Sequence, residues 1–253
     1  MMLPKPLVPA RRVAAWLLAL LTLGMGGAAL ADPTLAPFSG AAPGAPPSSW
    51  HVVDYFHGRK PLTRFDIVAL DGQQVLRVET DRSYATLLHP LPPAPPAAGT
   101  RLRWRWRLDR PLLDTDLQRK SGDDGPLKVC AMFDLPLDKL GFFERNKVRA
   151  MRATSDDPLP SATLCYVWDH ALPVGTVLRN AFTGTVRIVV VNSGEQRLGQ
   201  WIAQEHDLDA DFLRAFGPDV SSVPPLVGIA VIADADNTQG HSLGYVGDIS
   251  LGP

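Results

Sequence analysis

The sequence predicts an all-β fold, a two-layer antiparallel β-sandwich of the jelly-roll or galactose-binding-like kind with one or two short helices. Three observations predict it. Short segments rich in Val, Ile, Thr and aromatic residues recur along most of the chain, separated by turn residues. No regular alternation of strand and helix patterns, the mark of a parallel α/β sheet, runs between them. Two segments, 186–191 and 227–232, are apolar on both sides, as central strands covered above and below must be.

Taken in order, the first 31 residues read as a bacterial secretory signal. Lys5, Arg11 and Arg12 make a positive start, 13–23 is apolar but for Thr22, and Ala29-Leu30-Ala31 is a small-x-small cleavage site. That run is too short for a bilayer, which takes about 20 residues, so no transmembrane segment is expected in the mature chain. Cleavage after Ala31 would leave a periplasmic or secreted protein. Residues 32–49, rich in Ala, Pro and Gly, read as a leader, and 50–253 as a single domain.

Strands are expected at 66–70 and 74–80, joined by Asp71-Gly72, the strongest hairpin signal in the chain. A third is expected at 85–89, and the run 91–99, with Pro92, Pro93, Pro95 and Pro96, reads as a loop. In 101–108 the alternation is complete: Leu102, Trp104, Trp106 and Leu108 share one face and Arg101, Arg103, Arg105 and Arg107 the other. Cross-strand carboxylates are the common partners of such a row, although Arg105 and its neighbours could also hold an anionic ligand. Further strands are expected at 128–134, 164–169, 186–192, 200–207, 227–234 and 243–251. Residues 142–153 read as a short helix. So do 209–217, with an Asp N-cap, Phe212 and Phe216 four apart, and a Gly-Pro stop. Cys130 and Cys165 both fall in strands; an oxidising compartment permits a disulfide, and two buried thiols are the alternative.

Composition excludes some classes. Basic residues number 25 and acidic 26, for a net charge of −1, which gives no electrostatic footprint for nucleic acid. A hydrophobic content of 45% excludes disorder. Gly240-His241-Ser242-Leu243-Gly244 spells a nucleophile elbow, but no histidine follows His241 and no helix can follow the serine. Asp207-Leu208-Asp209-Ala210-Asp211 imitates a calcium loop, but Phe212 and Pro218 stand where Gly and Glu are required. The histidines show no zinc spacing, so neither a catalytic nor a metal set is assigned.

Two polar turns are more informative. Asp234, Asp236 and Asn237 follow a central strand, and Asp123 and Asp124 precede another. Oxygen clusters of this kind suit a polar ligand or a hard cation, calcium being the one cofactor they suggest; they also stabilise turns unaided. Tyr166 and Trp168 could present rings to a sugar at a sandwich edge.

Several pieces in order carry a resemblance: Trp104-Arg105-Trp106, Gly122-Asp123-Asp124, Phe133-Asp134, Tyr166-Val167-Trp168, Pro173-Val174-Gly175, Asn180-Ala181-Phe182-Thr183, Ser193-Gly194, Trp201, Asp211-Phe212 and Asp234-Ala235-Asp236-Asn237-Thr238. From about Trp50 to Leu251 the chain resembles the bacterial exported family known as domain of unknown function family 3047. The resemblance implies a sandwich of lectin-like character and no established activity. Gly125-Pro126, Cys130 and Cys165 depart from its usual residues.

The expectation is therefore an exported, non-catalytic binding module for a cell-envelope or extracellular ligand, a glycan first of all. Its candidate ligand residues are Arg105, Asp123, Asp124, Tyr166, Trp168, Asp234, Asp236 and Asn237. A glycan hydrolase using a pair among Asp123, Asp124, Asp234 and Asp236 is the first alternative. A structural envelope protein that packs against partners is the second.

Overall fold

A computed structural model describes residues 1–2, 34–153, 159–217 and 220–253. The expected signal sequence and the start of the leader lie almost wholly outside the described residues, as does the Pro218 of the helix stop. The chain divides into Met1–Ala31 and Asp32–Pro253, and every strand and helix described below belongs to the second unit.

Along the chain run β1 (His51–Val53), β2 (Arg64–Leu70), β3 (Gln73–Asp81), β4 (Tyr84–Ala94), β5 (Arg101–Arg110) and β6 (Gly125–Phe133). Helix α1 (Phe142–Arg152) precedes β7 (Ala162–Asp169), β8 (Val177–Arg179), β9 (Val186–Ser193) and β10 (Ile202–Asp207). Helix α2 (Leu208–Phe216), β11 (Leu226–Asp234), β12 (His241–Val246) and β13 (Ser250–Gly252) complete the unit. The strands form two sheets. One has the order β1-β4-β11-β6-β7-β9-β8; the other has the order β10-β5-β12-β3-β2, with β13 also on β5. All pairs are antiparallel except β7 with β9, which is parallel because the chain crosses over through β8 to reach the far side of β9.

The β2–β3 hairpin forms as its turn residues dictate. Asp71 and Gly72 have φ of 51° and 77°, the left-handed pair that matches strand twist in a two-residue turn. On β5, Leu102, Trp104, Trp106 and Leu108 are buried against the seven-stranded sheet. Two of the outward arginines meet cross-strand acids as the row predicts, Arg103 with Glu205 at 3.0 Å and Arg101 with Asp207 at 3.7 Å. Arg107 pairs with Asp109 of its own strand at 2.6 Å, and Arg105 donates to the Gln73 side-chain oxygen.

Strands β6, β7 and β11 are buried along their whole length. On β6, Leu127, Val129, Ala131 and Phe133 face the other sheet, whereas Cys130 and Met132 join a second cluster on the outer face. There Cys130 and Cys165 stand in register on neighbouring strands and form a disulfide with a Cα–Cα distance of 4.1 Å.

Three local readings change. Strand β4 runs on through Pro92 and Pro93 to Ala94, into the expected loop. Past Leu88 it has no neighbour on the β1 side, so prolines cost it no ladder bond there. Helix α2 is capped by Asp207, not Asp209; β10 turns directly into the helix, and the Asp207 carboxylate reaches Ala210 N at 2.9 Å. The last expected strand splits at Gly247, whose N–H bonds Arg105 O at 2.9 Å.

Candidate functional site

On the outer face of the seven-stranded sheet, beneath α1, lies a cavity of about 570 Å³. Its floor is the outward row of the central strands, with Thr86, Ile232, Lys128, Cys165 and Ile188. Its roof is the inner side of α1, where Val148 is buried and Met151 is half-exposed. Glu144 anchors that helix: its carboxylate accepts from Thr183 Oγ1 at 2.9 Å and Gly184 N at 2.8 Å. Tyr55, Phe56 and Tyr84 form an aromatic wall.

The polar end is built where β6 begins and β11 ends, because register places Gly125 opposite Asp234. The turn before β6 is closed by a bridge between Asp116 and Gly122; a Cβ on Gly122 would lie 2.6 Å from Asp116 N, so only glycine fits. Asp124 then points into the turn after β11 and latches it. Its carboxylate accepts from Asn237 N at 3.2 Å, Asn237 Nδ2 at 3.0 Å, Thr238 N at 2.6 Å and Thr238 Oγ1 at 2.7 Å. Asp234 accepts from Gly125 N at 2.7 Å and pairs with Lys128 Nζ at 2.8 Å. The Lys128 stem crosses the space a Cβ on Gly125 would need. Asp236 pairs with Lys60, whose ammonium also sits 4.0 Å over the Phe56 ring.

Asp123 differs from these. One carboxylate oxygen, Oδ2, accepts from Asn180 Nδ2, while Oδ1 is buried with no hydrogen-bond partner. The residue is 4% exposed and lines the cavity.

Burial pushes Asp234 up to about 6. Burial also raises Asp123, against the pull of Lys128. For Lys128 burial opposes the charge, but Asp234 and Asp123 outweigh it and hold the ammonium above its ordinary value.

Five predicted residues, Asp123, Asp124, Asp234, Asp236 and Asn237, therefore converge, although the two turns are far apart in sequence. Residues 48–250 match the family described as Protein of unknown function (DUF3047). The chain belongs to that family. No curated protein matches this DUF3047 chain. Among solved structures it is similar to the family 11 carbohydrate-binding module of the cellulosomal cellulase Lic26A-Cel5E of Clostridium thermocellum. The TM-score is 0.40 at 8% identity, covering 87% of this chain and 93% of that one. It is also similar to endoglucanase 3 of Trichoderma harzianum, from family GH12, with a TM-score of 0.42, 8% identity and coverage of 88% and 99%. The xyloglucanase domain of NopAA, a type three effector from Sinorhizobium fredii in complex with cellobiose, gives 0.42 at 9% identity, covering 80% and 92%.

Three predicted ligand residues of the DUF3047 chain lie elsewhere. Tyr166 and Trp168 are 0% and 2% exposed, because alternation on β7 sends Leu164, Tyr166 and Trp168 between the sheets and Thr163, Cys165 and Val167 outward. The Tyr166 hydroxyl donates to Asp211 at 3.0 Å, and Trp168 Nε1 donates to Gly194 O at 3.0 Å, so both are core residues with satisfied polar tips. Arg105 is on the outer face of the other sheet, 4.7 Å over the Trp201 ring. Ser242 is 0% exposed and inside β12, which disposes of the nucleophile-elbow spelling. Among the described residues no group of three or more His, Cys, Asp or Glu is placed to hold a metal ion.

Sequence reasoning missed Lys60, Lys128, Glu144 and Asn180. Lys128 had a signal: it is the one charge inside an otherwise apolar strand, and such a charge needs a buried partner. The other three sit in loops or on a helix, and nothing in their local pattern indicates that they meet.

Proposed function

We propose that this protein is a non-catalytic binding module that takes one sugar unit of a cell-envelope or extracellular glycan into the cavity under α1. The observation that carries this reading is the division of the cavity. Apolar side chains and four aromatic rings line most of it, while one end is a fixed polar wall with a single carboxylate oxygen unpartnered. A sugar ring has that same division, an apolar face and a rim of hydroxyl donors. Cavities of roughly 300–1,000 Å³ with a few convergent polar groups suit small ligands.

The same wall favours binding over hydrolysis. Glycosidase chemistry uses two carboxylates, one to protonate the leaving oxygen and one to attack or to activate water. Here Asp234 is held by Lys128, Asp236 by Lys60 and Asp124 by Asn237 and Thr238, which leaves Asp123 alone with a free oxygen. A second reading, a surface that packs against envelope partners, draws on Phe142 and Phe143, which are 68% and 86% exposed.

The test is a screen of the purified chain against envelope polysaccharides, run beside Met151→Trp, which puts a large ring into the cavity from the roof. Binding by the wild type, lost in the variant at an unchanged urea midpoint, is the expected result. No binding across the screen, or binding indifferent to the variant, overturns the reading.

A further inference from the structure

The Asp123 carboxylate sets a requirement on whatever enters the cavity. Its Oδ2 is taken by the Asn180 amide, and that amide is fixed in turn because Asn180 Oδ1 accepts from Phe182 N at 2.9 Å and Thr183 N at 3.2 Å. Its Oδ1 has no hydrogen-bond partner, and the amines and amide beside it are bonded elsewhere. The Lys128 ammonium is committed to both oxygens of Asp234, at 2.8 and 3.0 Å. Lys60 is committed to Asp236, and the Asn237 amide to Asp124 Oδ1 and Asp123 O. A buried carboxylate oxygen without a donor is costly, and a charged donor relieves that cost better than a neutral one.

We propose that the sugar unit this cavity selects carries a free amine, its ammonium held by Asp123 Oδ1. The inference rests on the reading of the cavity as a sugar site. Two further features point the same way. At the polar end Asp234 and Asp236 each face a lysine whereas Asp123 is bonded only by the neutral Asn180 amide, so it is at Asp123 that an entering cation gains, although Arg59 and Lys147 bring the cavity lining as a whole to charge balance. The aromatic wall already accepts a cation, since Lys60 lies over Phe56 at 4.0 Å. An N-acetyl group on the same sugar removes the charge and leaves an amide, a weaker donor to a carboxylate.

Calorimetric titration of the full chain with three disaccharides separates the two readings: a β-1,4-linked glucosamine dimer, its di-N-acetyl form, and cellobiose. The amine form should bind about tenfold more tightly than either of the others. Asp123→Asn, which keeps the shape and an oxygen for Asn180, should bring that ratio to about one. Equal affinity for all three, or a preference that survives in Asp123→Asn, overturns the amine assignment and leaves the sugar site standing. Absence of binding by all three overturns the amine assignment, and the sugar site falls with it only if the polysaccharide screen is negative as well. The comparison among ligands on the wild type needs no variant to fold.

Discussion

Replacing Asp124 with alanine should unlatch the turn at 235–240 and cost the fold about 3–5 kcal/mol. The side chain is 1% exposed and accepts four hydrogen bonds from Asn237 and Thr238, two of them from backbone N–H groups. A hydrogen bond to a charged group contributes roughly 1.5–3 kcal/mol, but four bonds to one anion do not add. Alanine also leaves two backbone donors in a buried turn without their acceptor, which costs about 1–3 kcal/mol more for each that water cannot reach. The combined loss falls in the range seen when one side of a buried charged contact is removed. For a unit of this size each kcal/mol lowers Tm by about 2–4 °C, so the midpoint should fall by roughly 10 °C. Asp124→Asn keeps one oxygen but turns an amide N–H toward the Thr238 donors, and should lose about half as much. Urea unfolding followed by tryptophan fluorescence at neutral pH measures both variants. A loss below about 1 kcal/mol for alanine would refute the latch. It would mean that Ala235 N to Ser83 O at 2.9 Å and Gly240 N to Ala235 O at 3.1 Å hold the turn by themselves.

Other outcomes follow from the same geometry. Removing the Cys130–Cys165 disulfide, which spans 35 residues, should cost about 4 kcal/mol by loop entropy, read as a drop in urea midpoint on adding reductant. The folded pKa of Asp234, about 6, lies above its unfolded value of 3.8, so the folded state holds that proton more tightly. Its contribution is greatest below pH 4 and is lost as pH rises through 6, by on the order of 3 kcal/mol. Asp234→Asn should therefore flatten the stability–pH curve between pH 4 and 6, and an unchanged slope would count against the assignment. Trp168→Ala should cost about 3–5 kcal/mol as a core cavity, visible by calorimetry, because the ring packs between the sheets and not at a ligand. Glu144→Ala should speed hydrogen exchange across α1 with little change elsewhere, since Glu144 ties the helix to Thr183 and Gly184.

Much of the sandwich was legible because strand periodicity is local. The alternation of 101–108 states which face of β5 is core, and Asp71-Gly72 states where the chain reverses. Continuous apolar runs marked β9 and β11 as covered on both faces. Aromatic residues misled because a ring on a strand reads the same whether it faces the other sheet or a ligand. Tyr166 and Trp168 were separable from a sugar platform only once the outward Thr163 and Cys165 of β7 were seen to floor a cavity.

The sequence by itself determined the longer strands, both helices and the two acidic turns, since each depends on residues within a few positions of one another, while the three-residue β1 and β8 were not among the expected strands. Tertiary structure decided that those turns meet. Pairing of β6 with β11 set Gly125 opposite Asp234 and so brought Asp123 and Asp124 against Asp236 and Asn237. It also decided which carboxylates are spent: Lys60, Lys128 and Asn180 come from separate parts of the chain, and only their arrival leaves Asp123 with an oxygen to offer. Local propensity acts over a turn or a strand, whereas the partners of a buried charge are chosen by how the sheets stack.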